Sequence, residues 1–338
     1  MDKAHFEINR AKGKSQITSK LLYRRVADEI RKAKHIALCV HKFPDGDAIG
    51  SMVALALALK KIRKNVYLFS PSIMPLRYAF LPLFNAVKTP NCRIKRFDAA
   101  IAIDCASVLQ LGDMFETVFE KSLTTIEIDH HVFRKSFAHV SLIDKNAAAV
   151  GEMVYHLVNL LKIPIDSDMA SAMLVSMIVE TGSFRLPTVR SLTFSICADL
   201  ISRGVDYYRI VERSYWTRTK EEAALLGLCF SRIKLFKQGK IAYTYVTSKD
   251  MRRLGARDED VDPIADQIRM LKKVKAVLFF REMEGRRWRV SLRSKGLVDI
   301  GRVAEEFGGG GHPDVAGCFL ANSTTLKDKL IKRVMKIV

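Results

Sequence analysis

Three short apolar segments each end on carboxylate or imidazole side chains, and this recurrence constrains the fold more than any single motif. The segments and the groups that follow them are 35–40 with His41, 99–103 with Asp104, and 123–128 with Asp129, His130 and His131. Segments of this length that are rich in aliphatic residues are typical of buried strands. In an open parallel sheet, ligands bind outside the carboxyl ends of the strands. The pattern therefore predicts an α/β domain with a functional site at that edge.

Hydrophobic periodicity divides the chain into two α/β halves. We expect the first half to add a strand at 65–69 and helices at 51–62, 147–161, 168–179 and 193–203. After a connecting helix at 220–233, we expect strands at 240–247, 276–282, 288–292 and 318–320, and helices at 263–272 and 299–307. The predicted divisions are a basic extension over 1–20, a parallel-sheet domain over 21–213, a linker over 214–235 and a smaller α/β domain over 236–338.

Composition predicts the compartment. The longest apolar run, 52–59, is far shorter than the ~20 residues that cross a bilayer. The first twenty residues lack the continuous apolar stretch of a secretory signal. Six cysteines lie far apart without a CxxC pair, as expected for reduced thiols. We therefore expect a soluble, cytoplasmic protein with no membrane partner.

The chain is strongly basic. Its formal net charge is +20, and residues 232–338 hold 24 Lys and Arg against 13 Asp and Glu. Such a surplus favours an anionic partner such as a nucleotide or a nucleic acid. It is equally typical of a well-solvated basic surface, and charge alone leaves both interpretations open.

The segment 41–47, His-Lys-Phe-Pro-Asp-Gly-Asp, holds an imidazole and two carboxylates in one turn. Asp45 and Asp47 are two residues apart, so we expect them to project to the same side of an extended segment. Two carboxylates held this close repel each other unless a cation lies between them. Asp-Gly-Asp also occurs in ordinary surface turns, but the polar groups at two other strand ends favour a metal site.

The candidate ligands are imidazole nitrogens and carboxylate oxygens without a thiolate. This set suits manganese or magnesium and makes a structural zinc site a poor fit. Five or more ligands exceed what one ion takes from protein when it keeps positions for water and substrate. We therefore expect two ions, the arrangement that activates a hydroxide and neutralises phosphoryl charge in phosphoester hydrolysis.

The strings HKFPDGDAIGS, IAIDCAS and IEIDHH resemble the first three motifs of the DHH phosphoesterase family, in the same order. The resemblance implies two manganese ions, with magnesium as the other candidate. It implies His41, Asp45 and Asp104 on one ion, and Asp47, Asp104 and His130 on the other, with Asp104 bridging. Asp129 is then expected to support the His pair, and His131 to face the substrate phosphate.

The family's fourth motif normally begins with Asp, whereas this chain has Glu180-Thr181-Gly182-Ser183-Phe184. Glu180 is one methylene longer than Asp and is expected either to bind metal, directly or through water, or to face solvent at a helix end. The Glu in place of Asp also leaves open the alternative that this chain kept the fold but lost catalysis.

Four consecutive glycines precede His312, which is costly in backbone entropy. A flexible linker is one explanation. The other is a wall of Gly309, Gly310 and Gly311 where backbone N–H groups approach a phosphate, with His312 as a further donor. Arg293 and Ser294 are candidates to bind a second phosphate.

The strings SLRS and GGGGHPDVAGC are similar to the nucleotide-binding signature of the DHH-associated C-terminal domain. This resemblance implies a second domain that holds a short nucleotide, with the active-site cleft between the domains. The family's pyrophosphatase branch lacks the glycine-His motif, which argues against pyrophosphate as the main substrate.

Among glycine-His members the chain resembles the compact oligoribonucleases. The resemblance implies hydrolysis of di- to pentanucleotides of RNA to mononucleotides, with related activity on 3′-phosphoadenosine 5′-phosphate or linear pApA, and a possible homodimer. The alternatives are a RecJ-like single-strand exonuclease and an inactive nucleotide-binding or nucleic-acid-binding regulator.

Overall fold

The computed structural model describes residues 20–90, 96–132, 134–261, 263–285, 287–296 and 298–338. The chain forms two compact units. The first contains the described residues up to His131 together with Lys135–Thr217, and the second contains Arg218–Val338 with the short segment Val132–Arg134. Apart from residue 20, the predicted basic extension over 1–20 lies outside the described residues.

The first unit is built on a six-stranded sheet in the order β3-β2-β1-β4-β5-β6, and every neighbouring pair is parallel. The strands are β1 (His35–Val40), β2 (Asn65–Phe69), β3 (Val87–Lys88), β4 (Ala99–Ile103), β5 (Thr124–Asp129) and β6 (Val140–Ile143). The strand order reverses direction between β1 and β4. In open α/β sheets this switch point, at the carboxyl ends of the strands, is where ligands bind.

Helices cover this sheet. They are α1 (residues 20–32), α2 (Gly46–Lys61), α3 (Val150–Leu160), α4 (Ser167–Glu180), α5 (Ser191–Ser202) and α6 (Tyr207–Val211). The helix α2 carries apolar residues on nearly all of its faces, and it is therefore buried along most of its length. At Gly50 the backbones of α2 and α4 approach closely, because an added Cβ would lie 2.4 Å from the Ala172 carbonyl oxygen. Only glycine allows this packing.

The second unit is built on a mixed six-stranded sheet in the order β11-β12-β10-β9-β8-β7, in which only β8 and β9 are parallel. Its strands are β7 (Lys234–Phe236), β8 (Ile241–Val246), β9 (Ala276–Met283), β10 (Arg287–Ser294), β11 (Gly310–Gly311) and β12 (Val315–Ala321). Its helices are α7 (Lys220–Ser231), α8 (Ser248–Leu254), α9 (Ile264–Arg269), α10 (Ile300–Glu306) and α11 (Thr324–Ile337).

The glycine run belongs to this sheet, so the flexible-linker explanation is wrong. Gly310 and Gly311 form β11, which pairs with β12. An added Cβ at Gly309 would lie 2.0 Å from the Gly317 carbonyl oxygen, and one at Gly311 would lie 2.4 Å from that of Val315. Gly308 has φ of +75°, which favours glycine. Close packing and left-handed backbone therefore explain three of the four glycines.

The α/β fold class is confirmed, with a parallel sheet in the first unit and a second, mixed sheet after it. The expected helix at 51–62 is wrong at its start, because α2 begins five residues earlier, directly after Asp45. Eight elements were not predicted: α1, β3, β6, α6, β7, α8, β11 and α11. None of the described helices has both the length and the apolar character needed to span a membrane.

Candidate metal centre

The parallel register brings three strand ends side by side. Val40 lies opposite Ile103, and Ile103 lies opposite Ile128. The residues that follow are therefore neighbours across the sheet: His41, Asp104 and Asp129. Asp104 has φ of +58°, a left-handed conformation that Asp tolerates better than most residues. Such an outlier is typical of a functional position.

Two groups of ligand atoms meet at Asp104. His41 Nε2 lies 3.7 Å from Asp104 Oδ2 and 3.9 Å from Asp45 Oδ1. On the other side, His130 Nε2 lies 3.5 Å from Asp47 Oδ2 and 3.8 Å from Asp104 Oδ1. Each triplet has its ligand atoms within 4.8 Å of one another. The structure thus brings together the same two sets that the family resemblance implies, with Asp104 common to both.

Asp45 and Asp47 do not lie in one extended segment, so the prediction that strand alternation places them on the same side is wrong. Asp45 is the N-cap of α2, where its Oδ1 accepts hydrogen bonds from the Asp47 and Ala48 amides at 2.9 and 3.1 Å. Asp47 lies in the first helical turn, and its Oδ2 belongs to the other set, 3.5 Å from His130 Nε2. The helix start, rather than strand alternation, separates the two carboxylates.

Both predicted histidine ligands present Nε2 to the carboxylates. His41 Nδ1 lies 3.0 Å from the Lys42 carbonyl oxygen, and His130 Nδ1 lies 3.1 Å from that of Ala147. A carbonyl only accepts, so each Nδ1 carries the proton. This leaves the Nε2 lone pair of the neutral ring directed at the site, the tautomer that metal-binding histidines need.

Asp47 is held by hydrogen-bond donors from three helices. Its Oδ1 accepts from Ser176 Oγ at 2.6 Å and Ser51 Oγ at 3.0 Å, and its Oδ2 accepts from the Val150 amide at 2.9 Å. Ser176 Oγ also accepts from the Gly151 amide at 2.9 Å. These supporting residues were not predicted from the sequence. They lie more than a hundred positions from Asp47 along the chain, except Ser51, and no local pattern marks them.

Asp129 holds the histidine pair in place. Its Oδ1 accepts from the His130 amide at 2.8 Å, the His131 amide at 3.2 Å and His131 Nδ1 at 2.7 Å. Burial lowers the pKa of His131, but the charge and hydrogen bond of Asp129 oppose it, and the net shift is upward. This is the supporting position expected for Asp129.

The electrostatics fit a cation. Asp47, Asp104 and Asp129 are at most 2% exposed. Burial and the charges of Asp47 and Asp45 raise the pKa of Asp104 well above its ordinary value. Asp104 Oδ1 is buried without a hydrogen-bond partner among the described residues. A carboxylate oxygen left in this state within a carboxylate cluster matches the requirements of a divalent ion bound by oxygen and nitrogen.

Glu180 is the last residue of α4, and its Oε1 lies 3.6 Å from His130 Nε2. Its side chain is 23% exposed. The longer side chain therefore reaches the site from the helix end, and direct metal binding by Glu180 stays a prediction.

In the second unit, the predicted substrate-binding residues have defined partners. Arg293 Nε donates to Asp266 Oδ2 at 3.1 Å. Ser294 is buried, and its Oγ donates to the Val298 carbonyl oxygen at 2.6 Å. The His312 amide donates to the Val315 carbonyl oxygen at 2.7 Å. An added Cβ at Gly310 would meet nothing within 4 Å, so this part of the wall is open.

Family models match both units. Residues 35–177 match the DHH family N-terminal domain, and residues 238–338 match the DHHA1 domain. With the ligand geometry above, these matches define the class: the chain carries a DHH family domain, which contains the candidate metal centre, and a DHHA1 domain.

Among curated proteins, the chain is similar to the bifunctional oligoribonuclease and PAP phosphatase NrnA of Thermus thermophilus. The two are 29% identical over 93% of each chain. Among solved structures, it is similar in fold to an exopolyphosphatase-related protein from Bacteroides fragilis, with a TM-score of 0.83, 22% identity and coverage of 94% and 96% of the two chains. It also resembles in fold the RecJ of Thermus thermophilus in complex with Mn²⁺, with a TM-score of 0.50 and 14% identity, over 94% of this chain and 54% of that one.

Proposed function

We propose that this protein is a two-metal-dependent hydrolase that cuts short RNA oligonucleotides, from di- to pentanucleotides, to mononucleotides. Activity on 3′-phosphoadenosine 5′-phosphate or linear pApA belongs to the same proposal. The observation that carries it is the pair of ligand sets that share Asp104. The name of the Thermus thermophilus relative, which couples oligoribonuclease and PAP phosphatase activities, supports this substrate class.

Each residue of the centre has a proposed part. His41, Asp45 and Asp104 hold one ion, and Asp47, Asp104 and His130 hold the other, with Glu180 reaching the second group. Two such ions supply an activated hydroxide and neutralise phosphoryl charge. Asp129 orients His131 through the 2.7 Å hydrogen bond to Nδ1, and His131 faces the substrate phosphate. Ser176 and Ser51 fix the Asp47 carboxylate.

Manganese is the proposed metal, with magnesium as its competitor. The donor set of carboxylates and imidazoles suits both ions. The RecJ of Thermus thermophilus, which resembles this chain in fold, is known in complex with Mn²⁺ and with Mg²⁺, so both ions should be compared, beginning with manganese.

A substrate panel tests the proposal. The purified chain with manganese is expected to hydrolyse a dinucleotide faster than a single strand of about 24 residues, a length beyond any short-substrate site. The same panel should include 3′-phosphoadenosine 5′-phosphate and pApA, with Asp104→Asn as the inactive control. Faster decay of the long strand identifies a RecJ-like exonuclease instead. Binding of nucleotides without turnover of any substrate identifies a regulator.

The homodimer and the cytoplasmic location remain predictions. Sedimentation of the purified chain tests the first, and fractionation of cells that express it tests the second.

A further inference from the structure

A concavity of about 520 Å³ opens on the surface of the second unit, and lysines dominate its lining. They are Lys240, Lys272, Lys273, Lys275 and Lys295. Of the described residues that line this lysine concavity, none is acidic. The feature is therefore a concentrated positive surface rather than an alternating pattern of charges.

Local sequence supplies Lys272, Lys273 and Lys275, and the fold adds Lys240 and Lys295 to them. They lie in three loops: before β8, before β9 and after β10. Backbone hydrogen bonds tie the loops together, from the Lys275 amide to the Lys240 carbonyl oxygen at 2.7 Å and from the Lys295 amide to that of Lys275 at 2.9 Å. The sheet thus fixes like charges side by side.

Most of this charge is uncompensated by the described residues of the protein. Lys295 Nζ donates to the Leu271 carbonyl oxygen at 3.0 Å. Within the part of the chain that the structure describes, Lys240, Lys272, Lys273 and Lys275 form no ion pair. Like charges repel, so a concave group of ammoniums attracts and concentrates anions. A ligand that carries phosphate groups has the negative charge that would neutralise these ammoniums.

The lysine concavity lies at the same end of the sheet as the glycine wall. Paired residues trace this end of the sheet from β8 to β11. The pairs are Ile241 with Ala276, Ala276 with Ser294, Arg293 with Val315, and Ala316 with Gly311. Four strand spacings separate β11 from β8, which is about 19 Å at roughly 4.8 Å each. A few nucleotides of an extended strand span this distance.

We propose that the lysine concavity binds the phosphate backbone of the part of a single-stranded oligonucleotide that extends beyond the nucleotide at the glycine wall. The inference rests on the proposed function, because it concerns the same substrate. Lysine ammoniums are point charges that contact phosphates without reading bases. The concavity therefore sets how much more tightly longer strands bind than a dinucleotide.

The test compares the full chain with the triple variant Lys272→Gln, Lys273→Gln, Lys275→Gln. Binding of a labelled RNA decanucleotide is measured by fluorescence anisotropy at several salt concentrations, with EDTA present to prevent hydrolysis. The slope of log affinity against log salt is expected to become shallower by about 0.7 for each phosphate contact removed, or about two for three contacts. Affinity for the decanucleotide should fall several-fold more than affinity for a dinucleotide.

The matched control removes the same charge at the opposite end of β8. Lys249, Arg252 and Arg253 are exposed on α8, which follows the carboxyl end of that strand. Their triple Gln variant is expected to keep most of the wild-type salt slope. An equal loss in both variants would mean a general charge effect and would overturn the inference.

Two other outcomes also contradict the proposal. The first is an unchanged salt slope in the Lys272, Lys273, Lys275 variant. The second is unchanged RNA binding in that variant together with lost binding to vesicles that contain phosphatidylglycerol, which assigns the concavity to a lipid surface. Because binding is measured without metal, the inference stands or falls independently of whether the protein hydrolyses RNA.

Discussion

The two units handle charge at their strand ends in opposite ways. In the first unit, Asp47, Asp104 and Asp129 are buried beside one another. In the second, lysines of the concavity are mostly exposed at the end of the sheet. Burying like charges costs free energy unless a counter-ion is supplied, whereas exposed charges cost little and are screened by salt. The first unit should therefore respond to metal and the second to ionic strength.

The largest effect is expected from Asp104→Asn. Asn keeps the shape and tolerates the left-handed backbone at this position, but it removes the charge shared by the two ligand sets. Turnover should drop to background, because a shared ligand serves both proposed ions. The melting temperature without metal should stay the same or rise, since one member of a repelling cluster is gone. The increase in melting temperature on adding manganese should be lost.

Near-normal turnover in Asp104→Asn contradicts the assignment. A large fall in the metal-free melting temperature also counts against it, since Asp104 would then be structural.

A smaller effect is expected from Ser176→Ala. The hydroxyl donates to Asp47 Oδ1 at 2.6 Å and accepts from the Gly151 amide. Removing such a support typically weakens metal binding by about 10–100-fold. Manganese affinity by calorimetry is the measurement, because a purely structural role would leave it unchanged. Ser195→Ala, at an exposed serine on α5, is the matched control.

The glycine wall allows a paired test of packing against ligand contact. Gly309→Ala places a Cβ 2.0 Å from the Gly317 carbonyl oxygen and should destabilise the second unit by about 1–3 kcal/mol. Gly310→Ala meets open space and should preserve stability while raising KM for a dinucleotide. Urea unfolding and steady-state kinetics separate the two effects. Equal stability of both variants would show that the run is not packed as described.

The smallest effect concerns pH. Hydrogen bonds from Arg232, together with those from Thr247, hold the pKa of Asp250 below its ordinary value. A depressed folded-state pKa stabilises the fold above the unfolded Asp pKa of about 3.9, and this contribution is lost as pH falls below it. The stability difference between wild type and Asp250→Asn should therefore shrink on acidification below about pH 4. A difference that stays constant through the acid range contradicts the ion pair's contribution.

The strands and the candidate ligands were predictable because their signals are local. β1, β2 and β4 are short apolar segments bounded by polar residues, and their observed limits match the predicted ones. His41, Asp104 and His130 follow such strands, so the parallel topology alone brings them together.

What the sequence did not reveal depends on tertiary contacts. Helix α2 begins at Gly46 because Asp45 caps it, and a turn-like Pro-Asp-Gly sequence concealed that start. Ser176 and Gly151 support Asp47 through packing between α3 and α4, which no sequence spacing predicts. In the lysine concavity, sheet register adds Lys240 and Lys295 from other loops to the local cluster of Lys272, Lys273 and Lys275.

The most direct test of the central claim is a manganese titration of the metal-free protein by isothermal titration calorimetry, with dinucleotide hydrolysis measured at each step. Two ions per chain are expected, since two ligand sets share Asp104, and turnover should appear only as the second set fills. Asp104→Asn should fail to reach this stoichiometry. Binding of a single ion, or full turnover in excess EDTA, would contradict a two-metal centre at the strand ends of the first unit.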